Sequence, residues 1–220
     1  MMVSAENDPR RAGTIWMLDL DEPAPTVIPR IKVEFCCAGF DDVSALSAIS
    51  DRDASAEFHQ RLEAGRACYT TWAGDQLAAY GWVSFDDEKI SELNLRIRLL
   101  PGEAYIWDCV TAPRFRANHL YSALLAYIIM DLRDQGWRRA WIGADLDNIA
   151  SQKGIARAGF HHLADLVVER GLALRQAWVL GQPGVPDHLV AEAHRAFLGN
   201  RDEVWHTAPS AAMQGPFKFG

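Results

Sequence analysis

From Asn118 to Gln135 the apolar residues Leu120, Leu124, Ile128 and Leu132 recur at helical spacing, and Gly136 follows as a stop. Ahead of this helix, residues 103–111 form an apolar run interrupted by Asp108, which reads as a strand that Pro113 ends. Behind it, residues 138–146 read as another strand, so the three elements predict a parallel, right-handed crossover. The stretch Asp147–Phe160 then predicts a short helix. Asn148 or Asp147 caps its start, Ser151 lies on its first turn, and Gly159 takes the left-handed conformation that stops it before Phe160.

The flanking segments alternate differently. Residues 67–85 give two β-rich runs around Ala73-Gly74-Asp75, an antiparallel hairpin, and residues 161–170 and 172–180 predict a closing hairpin across Arg170-Gly171. Residues 31–36 read as a strand, and 41–49 and 53–65 as helices with Asp caps, the second closed by Gly65. Residues 86–103 form a charged turn and an alternating stretch, an extended strand or lid, and residues 186–199 make a last helix. Before Ile31 the pattern holds one strand, Thr14–Leu20, and a Pro-rich stretch. The expected division is an N-terminal arm over 1–30, one domain over 31–180, and a C-terminal helix with a poorly ordered tail over 181–220.

Composition narrows the class. With 220 residues, about half of them hydrophobic, the chain has material for one sizeable core. A formal charge of -7 argues against a nucleic-acid surface. The polar N-terminus is unlike a signal peptide, and no apolar run is long enough to span a bilayer, so the expectation is a cytoplasmic protein without a membrane partner. Cys36, Cys37, Cys68 and Cys109 lie in apolar runs without metal-ligand spacing and are expected to be buried reduced thiols. His161 and His162 likewise lack the companions of a metal site, so no metal is expected. Trp72, Trp82, Trp107 and Trp141 fall on strands and read as core or pocket wall.

The order of elements puts the loop after residues 103–111 at the N-terminus of the long helix. Free N–H groups there favour a phosphate, and Arg114 and Arg116 add charge. Two local motifs, Thr111–Tyr121 and the Asp147–Phe160 helix, resemble those of the GNAT superfamily of acyl-CoA-dependent N-acyltransferases, over roughly Ile31 to Leu180. The first is similar to the family's pyrophosphate-binding turn, with Arg116 kept and Ala117, His119 and Tyr121 where glycines are common. The second is similar to its Asn-x-x-Ala/Ser helix ending in Gly-Phe, with Ile155 where many relatives place a proton-donating tyrosine.

The resemblance implies an α/β fold whose mostly antiparallel sheet holds a parallel, splayed pair of strands at its centre. It implies acetyl-CoA or another acyl-CoA as co-substrate, with pantetheine amides pairing to the backbone of Cys109, Val110 and Thr111. The pyrophosphate is expected on the amides of Arg116, Ala117, Asn118, His119, Leu120 and Tyr121, with Asn148 and Ser151 reaching the pantetheine or its phosphate side. The expected reaction is direct attack of a small-molecule primary amine on the thioester, which needs a base, an oxyanion donor and alignment. A backbone N–H near Cys109 or Val110 is the expected oxyanion donor.

Three side chains are candidates for proton transfer. Asp108 interrupts an apolar strand, and it is either a base or a carboxylate tied to an arginine or to amides at a strand end. Glu92 lies in the segment that could line the acceptor side, where a solvated charge is the competing account. Tyr121 is either a proton donor near the cofactor or a core aromatic. His119 could serve a phosphate or a proton relay, or simply belong to the helix cap. Two further readings stay open. One is a catalytically degenerate acyl-CoA binder; the other is an interaction module, a homodimer included, that docks through the C-terminal helix.

Overall fold

The computed structural model describes residues 10–23, 25–50, 52–90, 95–170 and 175–199. Glu92, the turn after Arg170 and the expected C-terminal tail over 201–220 lie outside them. The ten strands are β1 (Arg10–Asp19), β2 (Glu34–Cys37), β3 (Ala67–Ala73), β4 (Gln76–Ser84), β5 (Glu88–Ile90), β6 (Leu95–Ile97), β7 (Glu103–Thr111), β8 (Arg139–Asp145), β9 (His161–Arg170) and β10 (Arg175–Gly181). The helices are α1 (Val43–Ile49), α2 (Ser55–Glu63), α3 (Leu120–Asp134), α4 (Ile149–Arg157) and α5 (Asp187–Leu198).

Eight strands form one sheet in the order β10-β9-β1-β8-β7-β4-β3-β2, and β5 pairs with β6 separately. The β7/β8 pair is parallel and its neighbours are antiparallel, the architecture expected from the crossover. The arm assigned to residues 1–30 needs correction: β1 lies between β8 and β9, paired to both from Gly13 to Met17. Its apolar alternation has a use on each face, since Ile15 and Met17 pack on one side and Trp16 and Leu18 on the other. The following segment runs along α3, where Arg133 donates to the carbonyls of Leu20 and Glu22.

Helices cover both faces. On one, α3 buries Leu124, Leu125, Ile128, Ile129 and Leu132 against Ala79, Val83, Ile106 and Ile142, with Ile155 of α4 and Ala158 at its end beside them. On the other, α1 and α2 cover Tyr80 and Trp82, while α5 covers Trp141 and Tyr105. Burial of each such Leu, Ile or Phe contributes about 1.5–3 kcal/mol. The apolar face of α5, with Ala193, Ala196 and Phe197, is therefore satisfied inside the molecule. The helix expected to dock a partner thus spends that face on its own sheet. Ion pairs fasten it further, Arg195 to Glu103 at 2.7 Å and Glu192 to Arg139 at 3.4 Å.

The cysteine expectation is half right. Cys68 is buried and Cys109 partly buried, but Cys36 and Cys37 are exposed because β2 is the sheet's edge strand. Trp82 and Trp141 are fully buried, as core residues on strands should be. Among the described residues no helix is long and apolar enough to cross a membrane.

Candidate active site

The pairing of β7 with β8 runs from Glu103↔Arg139 to Ile106↔Ile142, and the strands part beyond Ile106. A bulge accompanies the parting. Tyr80 faces Val110 and Trp82 faces Trp107, which leaves Asp108 and Cys109 both opposite Gly81. Asp108 has a φ of 42°, in the left-handed region that is costly for a side-chain-bearing residue. Gly81 makes room for the bulge, since a Cβ there would lie 2.9 Å from Cys109 Sγ. Burial, with the nearby Asp108 charge, pushes the Cys109 thiol up, so Cys109 keeps its proton and is no nucleophile.

Past Thr111 the chain makes a short 3-10 turn, Pro113–Phe115, and enters α3 through two residues of positive φ, Ala117 at 64° and His119 at 60°. These are two of the positions where the sequence motif lacks glycine. The backbone has kept glycine's conformation without glycine, at roughly 1–2 kcal/mol per residue. Tyr121, the third such position, belongs to α3. Other residues hold the turn: Arg30 donates from its backbone to Asn118 O at 3.0 Å and from Nη1 to Ala117 O at 3.2 Å. Asn118 Nδ2 donates to Phe115 O at 3.1 Å, and Arg116 Nε to Thr111 O at 3.3 Å. With these carbonyls engaged, the first-turn amides of α3 are the groups left to meet an anion. Ala117→Gly and His119→Gly are each expected to stabilise the fold by about 0.5 kcal/mol, relief of strain exceeding glycine's entropy, readable as a higher urea midpoint.

A cavity of about 670 Å³ adjoins the turn, lined by Thr111, Arg116, His119, Leu120, Gly154 and Arg157 among others. Arg157 was missed in the sequence, where it is one charge on a solvated helix face. Burial and the charges of Arg157 and Arg30 push the His119 imidazole down, which marks the pocket as cationic in a chain of net charge -7.

Across this cavity stands α4. Asn148 caps it, its side chain accepting from Ser151 N at 3.0 Å, so Asn148 Oδ1 serves the helix. Ser151 Oγ donates to the Tyr121 hydroxyl at 3.2 Å. The Tyr121 ring lies over Gly154, where a Cβ would come within 2.4 Å of it. Ile155 is fully buried in the core, so its position on α4 is closed to the cleft. Tyr121, Cys109, Asn148 and Ser151 border both the 670 Å³ cavity and a second one of about 310 Å³ that emerges on the opposite face of the sheet. Burial, with Cys109 adding and the Ser151 hydrogen bond opposing, pushes the Tyr121 phenol well up.

On that opposite face Asp108 is tied to an arginine, one of its two expected fates. Arg61 Nη1 meets Asp108 Oδ2 at 2.5 Å, and Arg61 Nη2 meets Glu57 Oε1 at 2.5 Å. The guanidinium is buried among rings, 4.3 Å from the Trp107 centroid, 5.0 Å from Trp82 and 5.1 Å from Phe58. A cavity of about 550 Å³ opens here, bordered by Ser50, Arg52, Glu57, Lys89, Trp107 and Asp108. Glu88 at its edge is buried and engaged by Arg66, Ser84 Oγ and the Lys89 amide. Burial pushes its carboxyl up, but those hydrogen bonds outweigh it and hold the group below its usual range. Trp107 Nε1 donates to Ser84 Oγ at 2.8 Å and so joins the same network.

The sequence matches a model of the Acetyltransferase (GNAT) family over residues 39–160. An acetyltransferase of that family from Colwellia psychrerythraea superimposes with a TM-score of 0.54 and 16% identity, covering 71% of this chain and 54% of the other, so this chain spans about half of that protein. A ribosomal-protein-alanine N-acetyltransferase from Brucella melitensis gives 0.46 at 19% identity, covering 58% and 84%. An aminoglycoside antibiotic 6'-N-acetyltransferase from Acinetobacter baumannii gives 0.46 at 16%, covering 60% and 92%. No curated protein matches the sequence.

Proposed function

The chain belongs to the GNAT acetyltransferase family, and from that premise we propose that it moves an acyl group from acyl-CoA to the primary amine of a small molecule by direct attack. The observation that carries the reading is the cationic 670 Å³ cavity, which meets the front of the sheet at Cys109 and Tyr121, where β7 and β8 part. The pyrophosphate binds the amides of Arg116 to Tyr121, with Arg116 and Arg157 as charge partners. The retained left-handed backbone at Ala117 and His119 supports binding despite the missing glycines.

When bound, acyl-CoA supplies the thioester carbon. The amine nitrogen forms the new C–N bond and the C–S bond breaks. A backbone N–H of Cys109 or Val110, beside the bulge, donates to the carbonyl oxygen as charge develops there. Asp108 Oδ2 is held by Arg61, so Oδ1 is the oxygen that takes the amine's proton. Tyr121 gives its proton to the departing thiolate, a role that Ile155 cannot fill from the core. Burial ensures that the phenol carries that proton at neutral pH.

Asp108→Asn is expected to lower kcat/KM by roughly tenfold, below the usual effect of an acid–base group because water reaches a side chain that is about a third exposed. Unchanged turnover would remove Asp108 as the base. Arg157→Ala is expected to weaken acetyl-CoA binding by about tenfold in calorimetry, the loss of one charged contact. Calorimetry of the unaltered protein is the direct test, and an absence of acetyl-CoA binding would overturn the reading. Thiol release over a panel of small amines then separates a catalyst from a protein that only binds the cofactor.

A further inference from the structure

We propose that the front of the site has two lobes with separate occupants, and that the lobe beneath α5 receives the acyl chain, so that acyl groups of about four to six carbons are the preferred donors. This rests on the acyltransferase reading and deepens it. The two cavities on the front face share Ile90, Tyr105, Trp107 and Asp108 and then diverge. Toward α2 the lining is charged, with Arg52, Glu57, Arg66 and Lys89. Toward α5 the side chains of Ile15, Tyr105, Leu166 and Phe197 line it, with the exposed Asp145 as the one charge on that side. A hydrocarbon tail entering the first lobe would desolvate charges without replacing their partners, whereas an amine acceptor suits it.

The floor of the α5 lobe is made by absent side chains. Gly143 pairs with Ile15, and Gly13 pairs with Asp145, so the two glycines occupy adjacent positions on one face. A Cβ on Gly13 would have one neighbour within 4 Å, Ala144 O at 3.4 Å, and one on Gly143 likewise, Thr14 O at 3.2 Å. Both neighbours are backbone of the sheet itself, so among the described residues no side chain comes within 4 Å of either position. The whole cavity, with the cleft at Cys109 and Tyr121, measures about 310 Å³, and an apolar space of about 150 Å³, half of that, already holds a group of benzene's size. Much of the lobe lies outside the span that the family model matches: Gly13 and Ile15 of β1, Leu166 of β9 and Phe197 of α5 are all beyond residues 39–160.

Calorimetry of the full chain with CoA, acetyl-CoA, butyryl-CoA and hexanoyl-CoA tests this without a known acceptor. The expected result is at least tenfold tighter binding of hexanoyl-CoA than of acetyl-CoA, from burial of the added methylenes. Gly13→Val, or Leu166→Phe should that variant not fold, is expected to cut the hexanoyl-to-acetyl affinity ratio at least fivefold. Equal affinity for the two thioesters, or a hexanoyl preference that neither substitution changes, overturns the proposal and leaves the acyltransferase reading standing. Failure of every thioester to bind overturns both.

Discussion

Tyr121→Phe is expected to reduce kcat by about 100-fold while leaving the KM for acyl-CoA within a few fold, because one proton is lost and the ring is kept. Shape should be preserved, since the ring packs over Gly154 and the hydroxyl alone contacts Ser151. The loss should exceed that of Asp108→Asn because Tyr121, packed over Gly154, is less open to water than Asp108, so water replaces its proton less readily. A unit change in thermal midpoint with unchanged turnover would reduce Tyr121 to a core aromatic. Gly154→Ala provides a second route to the same group. Its Cβ would displace the ring, so it should lower turnover as well and cost about 1–3 kcal/mol of stability from overpacking.

Arg61→Ala should have the largest effect on the fold. Arg61 joins α2 to the β7 bulge through two carboxylates and fills a slot between three aromatic rings. Its removal takes the common cation from Glu57 and Asp108 and leaves a hole beside Trp107. Breaking a buried ion pair costs about 3–5 kcal/mol, and since both carboxylates are about a third exposed the expected loss is about 3 kcal/mol. Urea unfolding measures it. Because Asp108 sits at a φ of 42°, loss of its tether also lets the bulge relax, so activity should fall more steeply than stability alone requires. Arg61→Lys should recover only part of either, as one ammonium cannot bridge two carboxylates and stack flat on Trp107.

The long helix, the crossover, both hairpins and the cap of α4 were legible because each is written in local periodicity and turn chemistry. Leu120, Leu124, Ile128 and Leu132 are four consecutive steps of one face, and Gly136 ends the helix at a φ of 82°. The N-terminal strand was visible too, but its place was not. Nothing in the alternation of residues 13–18 tells whether the strand lies alone or between β8 and β9. The same holds for α5, whose apolar face fits an external partner as well as its own sheet. Arg30 and Arg61 look like ordinary surface charges in sequence, since their partners at Ala117, Asn118 and Asp108 are 47 or more residues away.

By itself, the sequence determined that an arginine-bearing turn leads into a helix between two parallel strands, and that a capped Asn/Ser helix follows. Those features depend on neighbours within one or two turns of chain. The tertiary structure alone decided that Ala117 and His119 hold glycine's backbone, that Asp108 is bridged to Glu57 through Arg61, and that Tyr121 and Ser151 meet where the sheet opens. Each of these is a contact or strain imposed by packing between distant segments, and no local pattern encodes it.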